Sequence, residues 1–253
     1  MFDNINMDHK LQKWIKWLDV IKVEISELLI GRNIFWQMLE LIESNQVSKG
    51  KLILGHYLCS SYVSHVVMGI RRQIKIDKHK QNISFARLLA EIIDNPGLIS
   101  RQYFKELYIN GPIVNKADDH FNEYSMDVYD HIDPEMVKSD LKHLKKYSDN
   151  IENLSDQRLA HRDKKNFKSV PQISELESCI EAFEILCRKY YLIFHAEHID
   201  LLSDYNEPDL KQIFYDTTLL EKLTEQRHQE QRQKATASYT GHLQKEPGWL
   251  KKS

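Results

Sequence analysis

Glycine and proline are scarce in this chain, 8 and 6 of 253 residues. A turn-rich all-β fold needs far more of both, so long helices are the default expectation. Cysteine is scarcer still. Cys59, Cys179 and Cys187 form no CxxC, make an odd count and fall far apart or on apolar stripes, so they read as reduced, buried thiols of a cytoplasmic protein, with no zinc site. Excess charge is missing too. With 35 Lys and Arg against 37 Asp and Glu, the formal net charge is -2, which excludes a protein that coats nucleic acid by bulk charge and leaves room only for a focal basic site. The start, MFDNINMDHKLQKW, has no basic stretch followed by an apolar core and a small-residue cleavage site, so no secretory signal is expected. No Walker A, GxGxxG or GxSxG pattern occurs, which removes support for nucleotide hydrolysis, dehydrogenase and esterase chemistry.

What is present is hydrophobic periodicity. With 42% hydrophobic and 28% charged residues the chain can bury a sizeable core. From Leu11, apolar residues recur at Trp14, Leu18, Ile21, Ile25 and Leu28, continuing through Phe35, Trp36, Leu39 and Ile42, the spacing of one helix face. Polar residues 44–51 break the pattern. Residues 52–70 then carry no Asp, Glu, Lys or Arg, but His56, Ser60, Ser61, Ser64 and His65 interrupt them. This segment is read as the central, buried helix of a bundle and not as a membrane span. It ends in the basic run Arg71, Arg72, Lys75, Lys78 and Lys80.

Ser84 is a suitable cap for a helix over 85–93 that Asn95-Pro96-Gly97 stops, and Ser100 for another through Leu107. Asn110-Gly111-Pro112 reads as a turn, and 115–133 is the least legible part. Asp133-Pro134-Glu135 starts a helix expected to run to about Arg162. A further helix, with Ser174 and Glu177 as a capping box, carries Leu176, Ile180, Phe183, Cys187, Tyr190 and Phe194 and is expected to pair antiparallel with it. Residues 1–200 form the expected helical domain. Residues 201–253 form an extension, with a helix over 209–223 and a flexible or peripheral tail from 224.

The chemistry-bearing residues cluster after the Pro134 helix. Its inward stripe reads Val137, Leu141, Leu144, Ile151 and Leu154, then Arg158 and His161 at the same spacing. Residues three apart on a helix share a face, so this cation and imidazole can enter one site. A His can move the proton of a 2′-hydroxyl while an Arg stabilises charge on the phosphate, which suits RNA cleavage without a metal. The bland reading is a helix C-terminus decorated with cations, Arg162, Lys164, Lys165 and Lys168 among them. Arg71 and Arg72 are candidate phosphate ligands on the same terms. His195 and His198 beside Glu197 and Asp200, and Asp140 with His143, lack the repeated Glu-x-x-His arrangement of a bundle metal site, so no metal and no cofactor are expected.

The stretch DQRLAHRDKK, Asp156 to Lys165, closing one long helix before another, resembles the signature region of the HEPN superfamily. RNIFWQMLELIESN and GIRRQIKIDKHKQNISFARLLAEIIDNPGLISRQYF are similar to its abortive-infection branch, over roughly residues 10 to 200. The resemblance implies an all-α bundle of four to five core helices with extra short helices and a C-terminal extension. It also implies a homodimer whose two motifs face one cleft, and metal-independent endoribonuclease activity in phage defence or as a toxin. On the reading of the residues themselves, His161 is the catalytic acid or base and Arg158 the phosphate stabiliser, with Arg71 or Arg72 as the alternative source of that cation; Arg71, Arg72, Arg162, Lys164 and Lys165 are the RNA or phosphate contacts, and Asp156 and Asp163 the supporting carboxylates. The family's Arg stands five to seven positions before the His, and those positions here hold Asp156, Ser155 and Leu154. Arg162 and Asp163 also replace the Tyr found after the His in toxins with nucleotidyltransferase antitoxins, so the antitoxin or other defence partner is left open. The competing expectation is a non-catalytic, dimeric helical interaction module in which Arg158 and His161 are structural.

Overall fold

The computed structural model describes residues 2–44, 51–76, 82–108, 116–125, 129–154, 172–203, 222 and 224–233. The chain divides into two compact units, Met1–Tyr205 and Asn206–Ser253. Among the described residues of the first there are seven α-helices: α1 Phe2–Ser44, α2 Lys51–Ile74, α3 Phe85–Asp94, α4 Arg101–Leu107, α5 Ala117–Asn122, α6 Pro134–Leu154 and α7 Ile173–His195, with a 3-10 turn at Pro96–Leu98. Among the described residues the only β pairing is one isolated bridge, Ser100 with His131. The fold is an all-α bundle.

Helix starts follow the side chains written for them. Ser84 accepts the Arg87 amide at 3.2 Å and Ser100 that of Tyr103 at 3.0 Å. Asp133 Oδ1 takes the Glu135 amide at 2.9 Å ahead of Pro134. The start of α7 differs from the expected Ser174/Glu177 box: Gln172 is the cap and Glu175 closes the box, its carboxylate accepting the Gln172 amide at 2.8 Å. Glu177 is taken by tertiary partners described below, which is why the box lies two residues earlier. The hard-to-read region 115–133 contains α5 and the bridge, held by Ile132 N donating to Ile99 O at 3.0 Å. The Asn110-Gly111-Pro112 turn and all but Lys222 of the expected 209–223 helix lie outside the described residues. In the second unit residues 224–233, expected as a flexible or peripheral tail, are helical and exposed.

Side-chain pairs fix the helix directions. Phe35 stacks on Tyr62 with ring centroids 4.1 Å apart, and Arg72 meets Glu24 at 3.3 Å, so α1 and α2 run antiparallel. Lys22 lies over the Tyr191 ring at 5.2 Å and Arg32 reaches Glu184 at 3.8 Å, so α1 and α7 are antiparallel as well. Near its start α6 meets the end of α7, where Asp140 Oδ2 binds Lys189 at 2.7 Å and Tyr190 at 2.9 Å. Both α7 and α2 end close to that level. A helix whose Ile151 is still fully buried must therefore run back along them, antiparallel to α7. The core fills the space between: Trp14, Leu18, Ile21, Ile25, Val66, Phe85, Val137, Leu144, Phe183 and Tyr190 are all fully buried.

Four inward assignments change. Phe35 is buried and Trp36 is half-exposed: Phe35 turns onto Tyr62 of α2, while Trp36 stands about 100° further round the helix. On α6 the buried position is Asp140, with Leu141 at the edge, since the carboxylate has its partners inside. Cys179 and Cys187 are buried and Cys59 only half so. The uncharged helix is not buried along its length. Tyr62, which donates to Glu177 one turn into α7, is where burial begins, and Ile53 and Tyr57 are 75% and 70% exposed. The first turns of α2 lie beyond the described start of α7, so no described residue of α7 covers them.

Gly69 marks a close approach of α2 to α1. A Cβ there would stand 2.6 Å from Leu28 Cδ2, a side chain locked in the core. Gly69→Val should cost about 2 kcal/mol by overpacking, seen as a lower midpoint in urea unfolding; an unchanged midpoint would show that the helices can part there.

Candidate functional site

The signature residues Asp156, Arg158, His161, Arg162, Asp163, Lys164 and Lys165 lie outside the described residues, between the end of α6 and the start of α7. What the described residues supply is the frame. The fifteen residues from Asp140 to Leu154 span about 20 Å of helix, carrying the chain from the Tyr190 end of the bundle back towards the Ile173 end.

Arg71 and Arg72 occupy the last turn of α2, where cations suit the helix dipole. They are near the level of Tyr191 and Asp140, so they stand about 20 Å along the bundle from Leu154, the last described residue of α6. Arg72 is half-exposed and pairs with Glu24, whose Oε2 also accepts Gln73 Nε2 at 2.5 Å. Arg71 is partly buried and already engaged.

Towards the Ile173 end of α7 is a polar cluster that periodicity did not reveal. Tyr62 donates to Glu177, while Arg32 Nε stands 3.8 Å from Glu177 and its Nη2 3.8 Å from Glu184. Burial first, and then the hydrogen bond to Glu177, raise the Tyr62 phenol far above its usual range, so it stays a neutral donor. His65 is exposed on α2 and lies across Gly31, where a Cβ would meet its ring at 3.1 Å. The available signal was Gly31-Arg32 in mid-helix, a glycine that permits close approach beside a cation. Chemically the cluster balances one cation between two carboxylates and locks α1, α2 and α7 together.

Two further titratable groups are structural. Asp140 is buried with both partners satisfied, and burial raises the Tyr190 phenol well above its normal value, ahead of the effect of Asp140 itself. Asp140→Ala should cost about 2–3 kcal/mol, because it leaves the Tyr190 hydroxyl buried without an acceptor while Lys189 can turn partly to water. Asp140→Asn keeps an acceptor and should cost clearly less in the same denaturation experiment; equal losses would place the energy in the charge pair.

His195 Nε2 is buried with no hydrogen-bond partner among the described residues, 3.9 Å from Asp19, its ring stacked on Tyr191 at 4.2 Å. Burial lowers its pKa, with Lys22 adding to the effect and Asp19 and Glu197 opposing it. The unfolded chain therefore takes up this proton first, and stability rises with pH through the window just below the ordinary histidine value of about 6.5. The melting temperature should fall between pH 7.5 and 5.5, and less so in His195→Phe; identical slopes would exclude this group as the cause.

The two His/carboxylate groupings noted in the sequence are each divided by the fold. Ala196 turns left-handed at φ 54° and ends α7, so His198 leaves the face of His195, and Asp140 is turned inward while His143 is exposed. Among the described residues no group of three His, Cys, Asp or Glu is placed to hold a metal ion. The Cys179 and Cys187 thiols are pushed up to about 12 by burial, which makes them unreactive. No described helix is long and apolar enough to cross a membrane. No family model matches the chain, and neither a curated protein nor a solved structure matches it.

Proposed function

We propose that this chain is a HEPN-like protein of phage defence or toxin-type growth control that acts on RNA as a homodimer in the cytoplasm. It cleaves the phosphodiester by metal-independent attack of the 2′-hydroxyl. In this reading His161 moves the proton of the attacking or leaving oxygen, Arg158 stabilises charge on the phosphate, and Arg162, Lys164 and Lys165 hold the backbone. Asp156 and Asp163 orient the basic groups. The observation that supports the reading is that DQRLAHRDKK stands in the sequence between α6 and α7, two long helices of one all-α bundle. Arg72 is the weakest member of the proposed contact set, because it is paired with Glu24.

Expression in a bacterial host tests it. Wild-type protein should arrest growth and His161→Ala should not, at equal protein level and with an equal helical spectrum. Arrest by both would remove His161 from the mechanism. Two observations favour a second reading as a binding module: no Arg stands five to seven residues before His161, and the tip of α2 exposes large apolar side chains.

A further inference from the structure

The outward side of α6 carries a row of cations. Lys138, Lys142, Lys145 and Lys146 are all exposed and fall within about 100° of the helix circumference, over about 12 Å of its length. Val137, Leu144 and Ile151 hold the opposite side in the core. Residues three or four apart are neighbours on a helix surface, so Lys142 stands beside each of the other three and the like charges repel. The nearby carboxylates do little to relieve this. Asp140 is turned inward to Lys189 and Tyr190, Glu135 takes Lys138, and exposed Asp149 follows the row. Among the described residues no carboxylate stands within 4 Å of Lys142, Lys145 or Lys146. Half-exposed cations on α2, α4 and α7 do find partners, Arg72 in Glu24, Lys105 in Asp118 and Arg188 in Glu184.

Two rings flank the row. His143 is exposed and lies one turn from both Lys146 and Tyr147, and Tyr147 itself is 48% exposed at the edge of the buried side. Cations and flat faces thus run side by side along one helix.

We propose that this face of α6 binds single-stranded nucleic acid, the lysine row holding phosphates and Tyr147, with His143 beside it, stacking on an unpaired base. A single strand offers both a line of negative charge and bases whose faces are free, the two features that a row of cations beside exposed rings can use. A duplex hides those faces within its stack. An anionic membrane would require an apolar side of α6 free to enter the lipid, and that side is already buried in the bundle. The near-neutral charge of the whole chain leaves room only for a focal basic site, and this row is one. That the strand is RNA rests on the preceding reading; that a strand lies along α6 rests on these side chains. The helix that carries the row is also the one that precedes DQRLAHRDKK in the chain.

The test is binding of the full-length wild-type chain to a fluorescent single strand of about twelve nucleotides, read by anisotropy over a range of salt concentrations. A 2′-O-methyl RNA serves, because it keeps the phosphates and bases but has no 2′-hydroxyl to attack, so binding is read without cleavage. Lys142→Gln with Lys146→Gln should weaken binding and make the slope of log K against log salt shallower by about 1.4, the share of two phosphate contacts on a single strand. Lys16→Gln with Lys116→Gln removes the same charge from exposed positions on α1 and at the start of α5, and should leave the slope unchanged. Tyr147→Ala should weaken binding roughly 5- to 100-fold with the slope kept, and should not change binding of an abasic strand of the same length. The lysines are exposed, so melting curves of those variants should match the wild type, and the abasic strand separates lost stacking by Tyr147→Ala from a lost fold. No binding by the wild type, an unchanged slope for the α6 pair, or an equal change for the control pair would overturn the proposal. So would attachment to anionic phospholipid vesicles through Lys142 and Lys146 with strand binding indifferent to them, and an unaffected Tyr147→Ala would overturn the stacking. Binding that depends on α6 without cleavage of unmodified RNA would uphold this proposal and remove the cleavage reading; cleavage with binding indifferent to Lys142 and Lys146 would do the reverse.

Discussion

Trp14→Ala is expected to lower the stability of the helical bundle by about 3–5 kcal/mol, the range for removing a fully enclosed aromatic side chain. Trp14 has no exposed surface, and its indole Nε1 donates to Glu91 Oε2 at 2.9 Å, joining α1 to α3. Of the two losses, the cavity is the larger. Glu91 keeps the Lys13 ammonium at 2.6 Å and the Arg87 guanidinium at 3.6 Å, so its charge is not orphaned when the indole leaves. Burial alone would raise the Glu91 pKa, but the hydrogen bonds from Lys13 and Trp14 outweigh it and hold the carboxyl below its usual range. Its contribution is therefore present above the ordinary carboxylate pKa and is lost as the pH falls through the depressed value. For a unit of this size a loss of 3–5 kcal/mol corresponds to a melting temperature lower by roughly 10–15 °C. Trp14→Phe, which keeps most of the ring, should lose less than half as much. Near-equal losses for Phe and Ala would mean that the hydrogen bond to Glu91, and not the filled volume, holds α1 against α3.

The second large effect is on chemistry. If His161 is the acid or base, His161→Ala should reduce RNA cleavage by about 10²–10⁴-fold. Arg158→Ala should reduce it as well, since the phosphate would gain charge with no cation beside it. The two losses should not simply multiply, because groups that act on one transition state act as a unit. Neither change should alter cleavage by way of the fold, so both variants should retain the wild-type helical spectrum.

The fold was legible wherever a local side chain dictates the backbone. Ser84, Ser100 and Asp133 each cap the helix expected of them, and the three-four spacing from Trp14 to Leu28 and from Leu176 to Phe194 marks the buried faces of α1 and α7. It was less legible where the outcome depends on a neighbour far along the chain. Glu177 reads locally as a capping carboxylate, yet Tyr62 and Arg32 claim it from two other helices. The uncharged run on α2 reads as core, yet half of one face is exposed because α7 begins only at Ile173, a length mismatch that no window along α2 contains. Asp140 interrupts an apolar stripe that reads more simply through Leu141, although a carboxylate at such a position needs buried partners and finds them in Lys189 and Tyr190. At the site, the sequence offers a motif and a chemical logic for His161 and Arg158. For Arg71 and Arg72 it offers only charge, which the helix end and Glu24 account for equally well.

The most direct test of the central claim is incubation of the purified chain with defined single-stranded RNA and total cellular RNA in EDTA, beside His161→Ala and Arg158→Ala. The account predicts cleavage by the wild type that chelation does not stop, leaving 2′,3′-cyclic phosphate ends, and its loss in both variants. A folded wild type that leaves the RNA intact, or cleavage that survives His161→Ala, would contradict it.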